Sequence, residues 1–332
     1  MSQQRISSIT QIPGIFAAHS TNAEAGTGCT VIVCPAGATG GVDVRVGAPS
    51  TRDTDLLRPE ETVQTLNAVV LSGGSAFGLA AACGVAEELE RHDIGLDVGV
   101  TKVPIVSSAC VFDLACGNAH VRPTAADGAA ATAAALSNTN GTPLARGNVG
   151  AGTGCTVGKM AGPARTMKSG LGEDVEQAGD LVCGAVSAVN ACGDVVDPQT
   201  LAPIAGVLSE DGTSIQSTTD MLIGLAARPP LDAQAPTPER TNTTISCIVT
   251  NARLTKAQAT KVAQMSADAY AHAIRPTHTT NDGDTIFVMA TGQVDAMPDV
   301  VGALATRALE RAIVDAALSA TGAYGLKAAC DL

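Results

Sequence analysis

Thr241-Asn242-Thr243-Thr244-Ile245 places an asparagine and hydroxyl residues where a proline-rich stretch runs into a β-branched one. Two readings fit. Asn and Thr are ordinary turn and strand residues, so the segment reads as a turn into a sheet. It also reads as a point where the chain cuts itself: the Thr243 hydroxyl attacks the Asn242 carbonyl, the acyl group shifts from nitrogen to oxygen, and water hydrolyses the resulting ester. The released Thr243 would then carry a nucleophilic hydroxyl beside its own α-amine, whose reference pKa of roughly 7.7 to 8.0 suits a base near neutral pH. Such a nucleophile needs no histidine.

Other familiar signatures fail at specific positions. Gly158-Lys159 looks like the end of a phosphate loop, but Thr153 stands where the first glycine belongs and Met160 where the magnesium-binding hydroxyl belongs. Around Ser75 a nucleophile elbow G-x-S-x-G has Phe77 in place of its second glycine. Asp282-Gly283-Asp284 opens like a calcium loop, yet its twelfth position is Gln293 rather than Glu. His19, His92, His120, His272 and His278 lack ligand spacing, and the 10 cysteines form no C-x-x-C pair. No metal and no organic cofactor is expected. Taken singly, Asp282 and Asp284 are turn residues, Lys159 a solvated lysine, and Asn190 a turn asparagine.

The elements that would position these residues come from a chain of 332 residues, enough for one large domain or two ordinary ones. Hydrophobic residues make up 45% but aromatics only 2%, with 35 Gly and no Trp, so the core must be built from Ala, Val, Leu and Ile in closely approaching layers. Twenty Lys+Arg against 32 Asp+Glu give a net charge of -12 without a basic block, which argues against nucleic acid or an anionic membrane as partner. The start, Met-Ser-Gln-Gln-Arg, lacks the order of a signal peptide. The long uncharged stretch from Thr62 to Ala86 is interrupted by Asn67 and Ser72-Gly73-Gly74-Ser75. A soluble, cytoplasmic protein is expected, its cysteines buried as small hydrophobes.

Short strands are expected at Thr30 to Cys34 and Gly41 to Val46, then a strand at Ala68 to Leu71 feeding a helix to about Arg91 through the Ser72 to Ser75 turn. A helix follows over Ala125 to Leu136 and a strand over Asp180 to Val189. Ala25-Gly26-Thr27-Gly28-Cys29-Thr30-Val31 recurs letter for letter at Ala151 to Val157, which suggests two equivalent turn-into-strand pieces. Arg228 to Thr241, with four prolines, reads as an exposed linker. Beyond it the pattern is β-α-β-α: Ile245 to Thr250, a helix capped by Thr255 and Gln258 and ending at Pro276, Thr285 to Thr291, and a last helix begun by Pro298.

Asn242 to Leu254, Asn-Thr-Thr-Ile-Ser-Cys-Ile-Val-Thr-Asn-Ala-Arg-Leu, resembles the self-cleavage site of the DmpA-type L-aminopeptidase/D-esterase/amidase family, to which the nylon-oligomer (6-aminohexanoate oligomer) hydrolases belong. The resemblance extends over nearly the whole chain, through Ile12-Pro13-Gly14, Gly41 to Arg45, Leu71 to Leu79, Gly147 to Gly152 and Arg275-Pro276 to Thr285. It implies an α/β (α+β) fold, a four-layer αββα-like sandwich made of a larger segment 1–242 and a smaller segment 243–332 that stay in one body after the cut. It implies Thr243 as nucleophile, Asp282 and Asp284 as an acidic pair orienting the new amino terminus, Lys159 as a nearby cation, and Asn190 as an oxyanion donor. Phe112 falls where relatives carry a tyrosine whose hydroxyl helps the oxyanion, and a phenyl ring cannot donate that bond. Backbone N–H groups of Gly73-Gly74-Ser75 are candidates for the missing donor, or that stretch is simply a tight turn. By this resemblance the protein is a cofactor-free amidohydrolase or aminopeptidase acting on small amides, short peptides or esters, assembled as a homo-oligomer, a tetramer of cleaved units. An acyltransferase of the ornithine acetyltransferase type, which also cuts before a threonine, and a non-catalytic scaffold with an intact chain are the alternatives.

Overall fold

A computed structural model describes residues 6–227 and 242–332. The linker expected at 228–241 lies outside the described residues. Eight strands carry the architecture: β1 (Phe16–Asn22), β2 (Thr27–Val44), β3 (Leu66–Ser72), β4 (Val106–Cys110), β5 (Leu171–Ala178), β6 (Leu181–Asn190), β7 (Thr243–Arg253) and β8 (Thr285–Asp295). Helices α1 (Ala81–Arg91), α2 (Ala125–Ser137), α3 (Lys256–Ser266), α4 (Asp268–Ala273) and α5 (Pro298–Leu318) cover them.

The two short strands expected between residues 30 and 46 are a single strand, β2, of 18 residues. Its first half pairs with β1 and β3, and its second half, Thr39 to Val44, pairs with β8. Between the halves, Pro35 offers no N–H and Gly37 has φ +81°, so the ladder to β3 shifts register and β2 passes from one sheet into another. The first sheet runs β1, β2, β3, β4, closed by the two-residue strand Thr51–Arg52; the second runs β5, β6, β7, β8, β2. Both are mixed, since β3 with β4 and β7 with β8 run parallel and the other pairs antiparallel.

Alternation along these strands sorts the side chains into three apolar layers. Ile32, Val69 and Leu71 of the first sheet meet Ile245, Cys247, Val249, Phe287 and Met289 of the second. Val31, Val33, Ala68 and Val70, one residue out of phase, face α1 and α2. Ile248, Ile286 and Val288 face α3, α4 and α5. The result is four layers in the order α, β, β, α, with helices on both outer faces.

Small residues bring the layers together as the composition requires. A Cβ on Gly84 would lie 1.7 Å from the Ala125 carbonyl oxygen, and one on Gly128 2.0 Å from that of Ala81, so α1 and α2 touch through bare backbone. Thr124 with Asp127 and Thr255 with Gln258 form capping boxes at α2 and α3. The helix expected to run to Pro276 is broken into α3 and α4, and the one expected from Ser75 begins as a 3-10 turn, Ser75–Ala80, before α1. The repeated heptapeptide is not two equivalent pieces: the first copy opens β2, the second runs from the end of a 3-10 turn, Gly150–Gly152, through a turn to the two-residue strand Thr156–Val157. The copies touch, Ala151 N–H donating to Thr30 Oγ1 at 3.1 Å. Most cysteines are buried, but Cys83 and Cys330 are exposed. Among the described residues no helix is long and apolar enough to cross a membrane.

Candidate active site

Thr243 opens β7, a strand buried along nearly its whole length between β6 and β8. Its cross-strand partner on β6 is Asn190, the last residue of that strand. The turn entering β8 supplies Asp282, Gly283 and Asp284 from the other side. Three strand ends thus meet at one point, and Asn242 and Thr243 are both buried there.

The Thr243 hydroxyl donates to the carbonyl oxygen of its own neighbour, Asn242. That carbonyl also accepts from Gly283 N–H at 3.2 Å. Gly283 has no room for a side chain: a Cβ would lie 2.7 Å from Thr243 Oγ1 and 2.8 Å from the Ala48 carbonyl oxygen. Its missing Cβ is what lets the turn lie flat against the threonine.

The two carboxylates differ in their surroundings. Asp284 Oδ1 accepts from Thr244 N–H at 2.7 Å and Oδ2 from His278 Nδ1 at 2.9 Å. Asp282 Oδ2 accepts from Thr279 N–H at 2.5 Å, while its Oδ1 is buried with no hydrogen-bond partner among the described residues. Burial first, and the charge of Asp284 second, push the Asp282 carboxyl up to about 6. Lys159 Nζ donates to the Asn190 carbonyl at 2.9 Å, and burial pushes its ammonium down to about 8 against the opposing pull of groups that include Asp282.

Asn190 is fully buried, its amide donating to the Phe112 carbonyl at 2.9 Å and its Oδ1 accepting from Thr156 N–H at 3.0 Å. Phe112 therefore meets the site through its backbone. The Gly73-Gly74-Ser75 stretch forms a tight turn. Its N–H groups go to the Gly28 carbonyl at 2.8 Å, to Asp113 Oδ1 at 2.7 Å and to the Val111 carbonyl at 2.9 Å, which leaves none for a substrate. The buried Asp113, held also by Thr27 Oγ1 at 2.7 Å, organises that turn from beside Phe112.

Thr243, Asn242, Asp282, Asp284, Lys159 and Asn190, far apart in the sequence, gather around one strand end. Sequence reasoning missed Gly283, His278 and Asp113 as contributors. Gly283 was visible only as the small residue between two acids, and His278 only as a neighbour in number of Asp282 and Asp284.

These layers and this convergence define a mixed α/β protein of the N-terminal nucleophile hydrolase type of fold. An L-aminopeptidase D-Ala-esterase/amidase from Ochrobactrum anthropi, described as a variant of that fold, matches with a TM-score of 0.66 at 17% identity, over 99% of this chain and 92% of its own. The peptidase family S58 model matches residues 7–330, and the chain belongs to that family. An uncharacterized aminopeptidase of Mycobacterium leprae is 39% identical, covering 98% of this chain and 94% of its own. A 6-aminohexanoate-oligomer endohydrolase of Paenarthrobacter ureafaciens is 31% identical over 85% of this chain and 74% of its own.

Proposed function

We propose that this chain is a peptide- or amide-bond hydrolase that makes its own nucleophile by cutting between Asn242 and Thr243. The observation that carries this reading is the contact of the Thr243 hydroxyl with the Asn242 carbonyl, an oxygen that Gly283 N–H also holds. This puts the hydroxyl next to a carbonyl polarised by a fixed donor, which supports an N-to-O acyl shift in which Oγ1 goes on to attack the carbonyl carbon.

In the cut, Oγ1 bonds to the Asn242 carbonyl carbon and gives up its proton, which reaches the departing Thr243 nitrogen as the C–N bond breaks. Water then hydrolyses the ester, leaving a carboxylate on Asn242 and a free hydroxyl and α-amine on Thr243. The buried carboxylate of Asp282, with an oxygen unclaimed by any donor, is suited to carry the proton. Before the cut Thr243 has no free amine, so another base is required. Afterwards the same oxygen would receive the new ammonium, and the α-amine would activate Thr243 toward a substrate carbonyl. Asn190 and Lys159 line the β6 side of the nucleophile and are assigned to charge stabilisation. The segments 1–242 and 243–332 would remain one body, because β7 stays paired with β6 and β8.

The relatives' names fit short peptides and linear amides as the substrate class. Intact mass under denaturing conditions, followed by N-terminal sequencing, tests the reading. Two chains are expected, the smaller starting Thr243-Thr244-Ile245, and Thr243→Ala should give one uncut, inactive chain. A hydrolytically active protein that stays whole at 33.1 kDa would overturn it.

A further inference from the structure

His278 lies outside every role assigned so far, yet it is tied to both sides of the residue that follows the nucleophile. Its Nδ1 binds Asp284 Oδ2 at 2.9 Å, and Asp284 Oδ1 holds the N–H of Thr244 at 2.7 Å. Its ring stacks on Tyr270 at 5.6 Å between centroids and 25° between planes, and Tyr270 Oη donates to the Thr244 carbonyl at 3.1 Å. The ring pair and the carboxylate therefore hold the Thr244 peptide from both ends. His278 keeps this place at φ +54°, a backbone conformation uncommon for a residue with a side chain.

The arrangement also divides the two acids. Both oxygens of Asp284 are occupied by donors, whereas Asp282 retains one with none. Two carboxyl groups placed in such different surroundings take different roles, one a fixed charge and one a proton carrier. We propose, resting on the self-cleavage reading above, that His278 is a positioning residue that holds Asp284 as the fixed anion of the pair and thereby leaves Asp282 to exchange the proton with Thr243.

The acids facing His278 favour a cationic imidazole, while its Nε2, buried with no hydrogen-bond partner among the described residues, does not. Asp284 and Asp282 lie on its own loop. From the residue that follows β2 comes Arg45, which opposes the cation but is itself paired with Asp43 at 2.9 Å. From α4 comes Tyr270, fully buried and uncharged, its hydroxyl pushed well up by burial. Burial by itself lowers the imidazole, and the bond to Asp284 and the charge of Asp284 together outweigh it, so the net direction is up.

The test follows the pH dependence of cutting in full-length chain made by cell-free translation, in wild type, His278→Gln and His278→Asn. Removing a cation beside the acid pair should move the acid limb of the cutting rate upward by about one pH unit or more. The rate on the plateau should stay within about tenfold of wild type, since the reacting groups are all present. An acid limb at the wild-type pH in soluble variants would overturn the proposal, however slow the cutting. Where the variants do not fold, side-chain nitrogen NMR of the five histidines in Thr243→Ala decides: His278 should titrate above the ordinary imidazole range, and titration at or below that range would overturn the proposal. A wild-type chain that never cuts, or cuts elsewhere, strikes the self-cleavage reading itself and is seen before any variant is compared.

Discussion

The backbone N–H of Gly283 points at the carbonyl oxygen of Asn242, 3.2 Å away, while the Thr243 hydroxyl approaches the same oxygen. A donor fixed in the backbone costs no reorganisation when charge develops on that oxygen, and it lies in a buried site where such a bond counts most. Gly283→Ala keeps the N–H but drives a methyl into Thr243 and the Ala48 carbonyl. Because displacing reacting groups by about 1 Å can cost about 10²-fold, cutting should slow by about that factor. Time courses of the fragment beginning at Thr243 check it. A wild-type rate in Gly283→Ala would remove this turn from the reaction.

Self-cleavage should show a bell-shaped pH dependence. Asp282 must be ionised to take a proton, so the rate falls as pH drops through about 6. Lys159 must be charged to favour developing negative charge, so the rate falls again as pH rises through about 8. Measuring the cut rather than substrate turnover keeps the α-amine of Thr243 out of the profile, because it does not yet exist. Asp282→Asn should leave the chain uncut, and Lys159→Arg should carry the alkaline limb to higher pH.

Asn190→Ala removes a fully buried amide that satisfies the Phe112 carbonyl and Thr156 N–H. Each buried group left unpaired costs about 1–3 kcal/mol, so Tm should fall. If Asn190 also serves the oxyanion, kcat of the mature enzyme should fall by about 10²-fold or more with KM little changed. A lower Tm with unaltered kcat would assign Asn190 to the scaffold alone.

Close backbone contact between α1 and α2 makes a prediction about stability. Gly84→Ala forces a methyl onto the Ala125 carbonyl, and overpacking of this kind costs about 1–3 kcal/mol, a Tm lower by several degrees. Gly224→Ala, at the end of the short helix Thr218–Gly224, where no other part of the described residues comes within 4 Å of the added Cβ, should leave Tm unchanged or slightly higher. Differential scanning calorimetry of Thr243→Ala carrying each change separates the two.

Much of this was legible from residue patterns. Capping pairs such as Thr255 with Gln258, the run Ile245 to Thr250 and the aromatic-poor composition announced helix starts, a strand and close layers. The union of two expected strands into β2 was not legible, because Pro35 and Gly37 usually end a strand and here they turn one between sheets. At the site, the family resemblance alone singled out Thr243, Asp282, Asp284, Lys159 and Asn190, which the fold brings together around one strand end. His278 and Asp113 escaped because their partners, Tyr270 and Asp284 for one and Gly74 and Thr27 for the other, are brought near only by the fold. The Gly73-Gly74-Ser75 turn was offered as a donor because a sequence cannot show that its N–H groups are already taken.

The position of β7 between two partner strands bears on how the mature protein can be regenerated. A chain severed before Thr243 has its new end inside the sheet, so complete denaturation yields two separate molecules. The molecularity of the return then changes: uncut Thr243→Ala refolds at a rate independent of dilution, whereas the severed protein must find its missing strand in solution. Durability of the working form would rest on how slowly it opens, because its return would weaken with dilution.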